Sequence, residues 1–230
     1  KVEFEDSTPI FNPGMGMILP KQERPDLPWT PIKAKPVRDN FDSPTLGSEW
    51  YFVRIPQKAF HNLANGQLAL TLQPEIVDSL VNSAMVIQKT RHHQFKATAL
   101  LNFQTKKDNE QAGLILYRTA NGYYSLLKDK SGIALIKKHL EKKETIEHIP
   151  YNKQKVFLSV AVNGTEIQFS FGETQEHMIN IGGIQNVAPL SDNKFNKFNG
   201  TGVGVYATSN GKQSRNKALY DWFEYISDKN

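Results

Sequence analysis

The chain has 230 residues, 39% of them hydrophobic and 22% charged, the make-up of a globular protein long enough to bury a proper core. Its formal charge of +5 is carried by scattered lysines, without a basic helix or an RNA-binding aromatic motif, so nucleic acid is not an expected partner. Cysteine is absent, which removes disulfides, thiolate metal sites and cysteine nucleophiles together, and no apolar run approaches the ~20 residues that a membrane helix needs.

Residues 1–36 differ from the rest, because seven of the twelve prolines fall there, at positions 9, 13, 20, 25, 28, 31 and 36. Proline fixes φ and lacks an N–H, so this stretch cannot supply a central strand. Phe4, Ile10, Phe11 and Trp29 make it too apolar for a flexible linker, and we expect an extended arm packed on another domain. No basic-plus-apolar leader opens the chain, so any signal peptide is expected to have been removed or to lie upstream.

From residue 37 the period is two. Leu68-Ala69-Leu70-Thr71-Leu72, the run Phe95 to Phe103 and the run Lys155 to Val162 read as strands with one buried face. Between such runs stand Asn65-Gly66, Asn121-Gly122, Ser131-Gly132, Asn163-Gly164 and Asn210-Gly211, residue pairs that accept the φ > 0 of tight turns. Lys137-Lys138 and Lys142-Lys143 flank a further expected hairpin turn as a solvated edge, and only Pro74 to Asn82 could hold a short helix. Strand, turn and strand recur about every ten residues, the spacing of a β-sandwich. The folded part opens on Val37-Arg38-Asp39-Asn40-Phe41-Asp42 and closes on Ala218 to Tyr225. In concanavalin A- or laminin-G-like folds the first and last strands lie side by side. The expectation is therefore an all-β chain, a jelly-roll of two antiparallel sheets over residues 37–230, with the proline-rich arm over 1–36.

Independent catalysis finds little support. Glycoside hydrolysis generally uses two carboxyls facing each other across a cleft, and no Glu-x-Asp-x-Glu strand is present to supply them. His92-His93 are adjacent and would point to opposite faces of a strand, and there is neither a nucleophile elbow nor a phosphate-binding loop. Asn163-Gly164-Thr165 and Asn199-Gly200-Thr201 satisfy the glycosylation sequon, but Asn-Gly is also a common hairpin pair, which explains them better.

Four segments carry a resemblance. Glu49-Trp50-Tyr51-Phe52-Val53-Arg54-Ile55-Pro56, Asn65-Gly66-Gln67-Leu68-Ala69-Leu70, Gln111 to Tyr117 and Gly200-Thr201-Gly202-Val203-Gly204-Val205-Tyr206-Ala207 resemble, in order and spacing, the C-terminal β-sandwich of glycoside hydrolase family 43 β-xylosidases and α-L-arabinofuranosidases. Asp6 to Gly14 looks like the stretch where that family's catalytic propeller ends, with Ser7-Thr8 in place of the more usual glycine-tryptophan. The resemblance implies an accessory domain of a secreted or periplasmic enzyme acting on plant cell-wall xylan or arabinoxylan. Its partner would be the catalytic propeller of the same polypeptide, met through residues 1–36 and the loop Ser191 to Gly200, and the catalytic carboxylates would belong to that propeller. The alternatives are an independent carbohydrate-binding module and, less favoured, a stand-alone glycosidase.

The resemblance also directs attention to particular residues. Lectin-like sandwiches often hold a structural calcium ion where the first and last strands meet, and Asp39, the Gly66 carbonyl and Asp221 stand at matching positions. Alternation would put Asp221 on the face opposite both Tyr220 and Trp222. Trp50, Arg54, Tyr117 and Tyr124, with Tyr51, Tyr123 and Tyr206, are candidates for a sugar-binding or interdomain face, although most aromatic rings in a sandwich are core. Phe198 matches a phenylalanine that, in some relatives, reaches the propeller's pocket.

Overall fold

The computed structural model describes residues 1–30, 37–191 and 199–227, which fall into two compact units. The first is not extended throughout. Strands β1 (Val2–Glu5) and β2 (Thr8–Phe11) pair as a hairpin whose turn residues Asp6 and Ser7 both take positive φ, 45° and 66°. Two left-handed turn residues match the twist of paired strands. Beyond the hairpin the unit is irregular, with Arg24 stacked 4.6 Å from the exposed Trp29 ring.

The second unit is the sandwich. Its strands in chain order are β3 (Arg38–Asp39), β4 (Trp50–Tyr51), β5 (His61–Ala64), β6 (Gln67–Thr71), β7 (Ala84–Lys89), β8 (Gln94–Asn102), β9 (Gln111–Thr119), β10 (Gly122–Lys128), β11 (Gly132–His139), β12 (Lys142–Pro150), β13 (Lys155–Asn163), β14 (Glu166–Gly172), β15 (Met178–Asn186), β16 (Gly202–Thr208) and β17 (Lys217–Ile226). A seven-stranded sheet runs β12-β11-β10-β9-β16-β7-β4, and an eight-stranded one runs β15-β14-β13-β8-β17-β6-β5 with β3 beside β17. All pairings are antiparallel.

The turn chemistry works as the sequence predicts at the tightest hairpins. Asn65 and Gly66 take φ of 55° and 67° between β5 and β6, and Asn163-Gly164 joins β13 to β14 in register Asn163↔Glu166. The first and last strands do meet, with Arg38 opposite Glu224 and Asp39 opposite Phe223. The helix considered for Pro74 to Asn82 does not form. That segment is a loop with one turn at Val77-Asp78, because its carbonyls and side chains are bound by the sheet rather than by each other.

The inward residues of both sheets form one core, including Leu68, Leu70, Ala97, Ala99, Leu114, Leu116, Leu126, Leu158, Val203 and Val205. Tyr220 spans it: its hydroxyl lies 3.0 Å from the carbonyls of both Gly113 and Tyr206 on the opposite sheet, so its polar end is satisfied where water is absent. Gly113 is required by close approach, since a Cβ there would meet the Leu126 carbonyl oxygen at 2.0 Å. Among the described residues no helix is long and apolar enough to cross a membrane.

Candidate functional site

At the seam of first and last strands, the two acidic candidates each engage protein donors. Asp39 reaches between the sheets, where Oδ2 accepts from Trp50 Nε1 at 2.7 Å and Oδ1 from the Phe41 amide at 2.8 Å. Asp221 is bound by Gln67 Nε2 at 2.5 Å and Lys155 Nζ at 3.2 Å, on the outer face of the eight-stranded sheet. A bulge separates the two. The register of β17 against β8 shifts between Tyr220 and Trp222, and there β17's other neighbour changes from β6 to β3. Tyr220 therefore faces the core, while Trp222 faces outward against Phe157 and under the Arg38 guanidinium, 4.0 Å from the ring. This corrects the alternation argument: Tyr220 and Trp222 lie on opposite faces, and Asp221 is the inserted residue. A cleft of about 270 Å³ at the seam is lined by Asp39, Asp42 and Glu49, but not by Asp221. The position a Gly66 Cβ would take lies 3.1 Å from Asp42 Oδ1. Asp39 and Asp221 thus serve different protein donors, Trp50 and Phe41 for the one, Gln67 and Lys155 for the other.

Of the aromatic candidates, two are core. Trp50 is 7% exposed and packs edge-on against Phe223 at 5.1 Å and against Phe41. Tyr124 is fully buried beside Phe169, its hydroxyl donating to the Asn186 carbonyl at 2.8 Å, and burial pushes its phenol up to about 12. Neither ring can stack on a sugar, since both faces are occupied by the sandwich itself. Phe198 lies outside the described residues.

The remaining candidates come together on the outer face of the seven-stranded sheet. Tyr51, Tyr117, Tyr123 and Tyr206 are one residue out of phase with Trp50, Leu116, Tyr124 and Val205, and they gather with Val77, Met85, Ile87, Ile115 and Leu127 in a second apolar cluster. This face is not wet: β10 and β16 are buried at every position. Tyr123, Tyr206 and Tyr117 keep a polar handle. Tyr123 donates to Asp78 Oδ1 at 2.5 Å, and Lys143 Nζ holds the other oxygen at 3.2 Å. Burial first and the Asp78 carboxylate second push the Tyr123 phenol far up, so it stays a proton donor. The Tyr206 hydroxyl accepts from the Val77 amide at 3.0 Å. Burial raises Tyr117, with the Arg54 guanidinium beside it opposing the shift, and raises Tyr51 to about 12.

Arg54 completes the arrangement. Its Nη1 lies 3.5 Å and 3.4 Å from the carbonyls of Ser79 and Val81, and Asn82 Nδ2 donates to the Arg54 carbonyl at 2.9 Å. At the same end of the sheet, Lys89 Nζ donates to the Gly200 carbonyl, Thr90 N to that of Thr201, and Asn199 Nδ2 to that of Arg118. Asp78 and Lys143 were missed by sequence reasoning. Asp78 pairs with residues 45 and 65 positions away, and Lys143 had been assigned to a solvated hairpin. No local spacing encodes such contacts.

The chemistry of this face is positioning. Buried tyrosines and an arginine fix a loop, and among the described residues no group of three or more His, Asp or Glu side chains is arranged to hold a metal ion. Fold and site together define a jelly-roll module of the concanavalin A-like class. Residues 38–226 match the family described as the beta xylosidase C-terminal concanavalin A-like domain, and the chain belongs to that family. It is 30% identical over 209 residues to the non-reducing end alpha-L-arabinofuranosidase BoGH43B of Bacteroides ovatus, a match covering 87% of this chain and 39% of the relative. It is 26% identical to a xylosidase/arabinosidase of Butyrivibrio fibrisolvens over 97% of this chain and 44% of the relative. Among solved structures, the GH43 BlXynB protein of Bacillus licheniformis superposes with a TM-score of 0.85 at 28% identity, covering 98% of this chain and 45% of that one. The chain thus spans less than half the length of these relatives.

Proposed function

We propose that this chain is the non-catalytic accessory sandwich of a family 43 glycoside hydrolase of the β-xylosidase or arabinofuranosidase type. In this reading it packs on the catalytic propeller of the same polypeptide and helps to shape the pocket that receives xylan- or arabinoxylan-derived oligosaccharides. The carrying observation is the match of residues 38–226 to the C-terminal domain family, with whole relatives more than twice as long. The outer face of the seven-stranded sheet supports it, since its tyrosines secure loops instead of presenting rings to solvent. The same burial argues against an independent carbohydrate-binding module, whose leading rings would have been Trp50 and Tyr124. Export from the cell goes with a polymeric cell-wall substrate.

The test is to assay the catalytic domain with and without this chain on aryl xyloside and aryl arabinofuranoside. We expect kcat/KM to fall at least tenfold when the chain is removed, and the 230-residue chain alone to turn over neither substrate. Equal kcat/KM with and without the chain would reject the pocket-shaping role.

A further inference from the structure

The loop between β6 and β7 joins two properties that seldom coincide: it carries two strongly exposed aliphatic residues, and it is fixed along its length. Leu80 is 78% exposed and Val81 53%, and Ile55, directly after Arg54, is 83% exposed. Arg54 binds the carbonyls on either side of Leu80, and Asn82 binds the Arg54 carbonyl, so the three aliphatic residues stand on adjoining backbone. The other strongly exposed aliphatics among the described residues of the sandwich, Ile179 and Ile184, lie apart on the edge strand β15.

A mobile surface loop would explain exposed aliphatic residues without any function. This loop is held from beneath at nearly every step. The Gln73 carbonyl accepts from Ser209 N and Thr208 Oγ1, the Pro74 carbonyl from Gly211 N, and the Glu75 carbonyl from Thr208 Oγ1. Val77 and Asp78 are tied to Tyr206 and Tyr123, as described above. Two buried tyrosine hydroxyls, those of Tyr206 and Tyr123, thus hold the segment that leads to Leu80 and Val81. Apolar side chains on a fixed support, rimmed by Arg54, Asn82 and Lys143, have the make-up of an interface centre with its polar rim.

We propose that Ile55, Leu80 and Val81 dock the catalytic domain of the same polypeptide. This rests on the accessory-domain reading and identifies the surface through which it operates. The size of the patch selects the occupant. Stable association of separate proteins buries roughly 800 Å² on each partner, far more than three side chains provide. A tethered domain needs less, because linkage supplies an effective concentration in the millimolar range. The relatives carry more than half their length outside the region matched here, which leaves room for such a domain.

The experiment is scanning calorimetry of the polypeptide joining this chain to its catalytic domain, compared with an Ile55→Glu/Leu80→Glu variant. The 230-residue chain is measured in parallel by calorimetry and sedimentation. We expect one cooperative unfolding transition in the parent and two in the variant, with the midpoint of the isolated chain moving by less than about 2 °C. A single transition in both would overturn this surface and leave the accessory-domain reading standing. Two transitions already in the parent would overturn both. A large fall in the midpoint of the isolated chain would make the residues structural, and concentration-dependent dimerisation removed by Leu80→Glu would give the face to a second copy. Either result would also overturn the proposal.

Discussion

The outer faces of the two sheets are built to different ends. On the eight-stranded sheet the outward side is wet and charged: Lys96, Lys155, Glu166 and Lys217 are exposed, and Trp222 survives there only under Arg38 and beside Phe157. Its exposed polar contacts include Lys155 with Asp221, while the pair of Thr98 and Ser159 lies buried. On the seven-stranded sheet the outward side is buried through β10 and β16, and Tyr123 and Tyr206 reach a loop rather than water. A sheet face that is dry on both sides usually has something over it. Part of that cover is the loop 73–82, and the loop in turn presents its own apolar side chains. The difference is that one outer face is open to solvent, while the other is covered by a loop that presents apolar side chains.

Substitutions can break or sharpen this contrast. The largest effect should come from the core that both sheets share. Trp50→Ala is expected to cost about 3–5 kcal/mol in chemical denaturation, whereas Trp50→Phe, which keeps a ring but leaves Asp39 without its indole donor, should cost about 1–3 kcal/mol. Next is Glu110, buried in the loop before β9. Burial alone would raise its pKa, but donors from Ser214, Asn216 and the amides of Lys106 and Lys107 outweigh this and hold it below the usual carboxylate range. A depressed folded pKa adds stability above the unfolded value of about 4.3 and loses it as pH falls through the folded value. Glu110→Gln should therefore cost about 1.5–3 kcal/mol at pH 7, and the gap to the parent should narrow when the same denaturation is run in acid.

The outer faces are compared most sharply by the two smallest changes. Tyr123→Phe removes the donor to Asp78 and should cost about 1 kcal/mol globally, while hydrogen exchange of residues 76–82 quickens by about tenfold or more. Lys155→Met, on the wet face, should cost less than about 1 kcal/mol, because the pair with Asp221 is solvent-screened at a lysine 61% exposed. Equal loop exchange in these two variants would erase the contrast.

Much of the fold could be read from the sequence because strands and turns are local codes. Period-two runs placed β6, β8 and β13 within a residue of their observed ends, and Asn65-Gly66 and Asn163-Gly164 set two hairpins. Alternation also separated Trp50 from Tyr51 and Tyr123 from Tyr124 correctly, though it could not say which member of each pair faced the core. It failed at Asp221, where a bulge adds one residue and carries Trp222 to the other face. The latch of Asp78 by Tyr123 and Lys143 left no trace in the sequence, since it exists only once distant strands have paired. The family resemblance covered the part of the argument that local rules could not reach, namely what the module accompanies.

The most direct measurement of the contact face is hydrogen exchange on this chain alone and joined to its catalytic domain. The account predicts that amides of residues 79–82 slow by about tenfold or more in the joined polypeptide, while the outward residues of β13 and β17 do not change. Unchanged rates at residues 79–82, with slowing confined to β13 and β17, would contradict it and assign the contact to the face described here as wet.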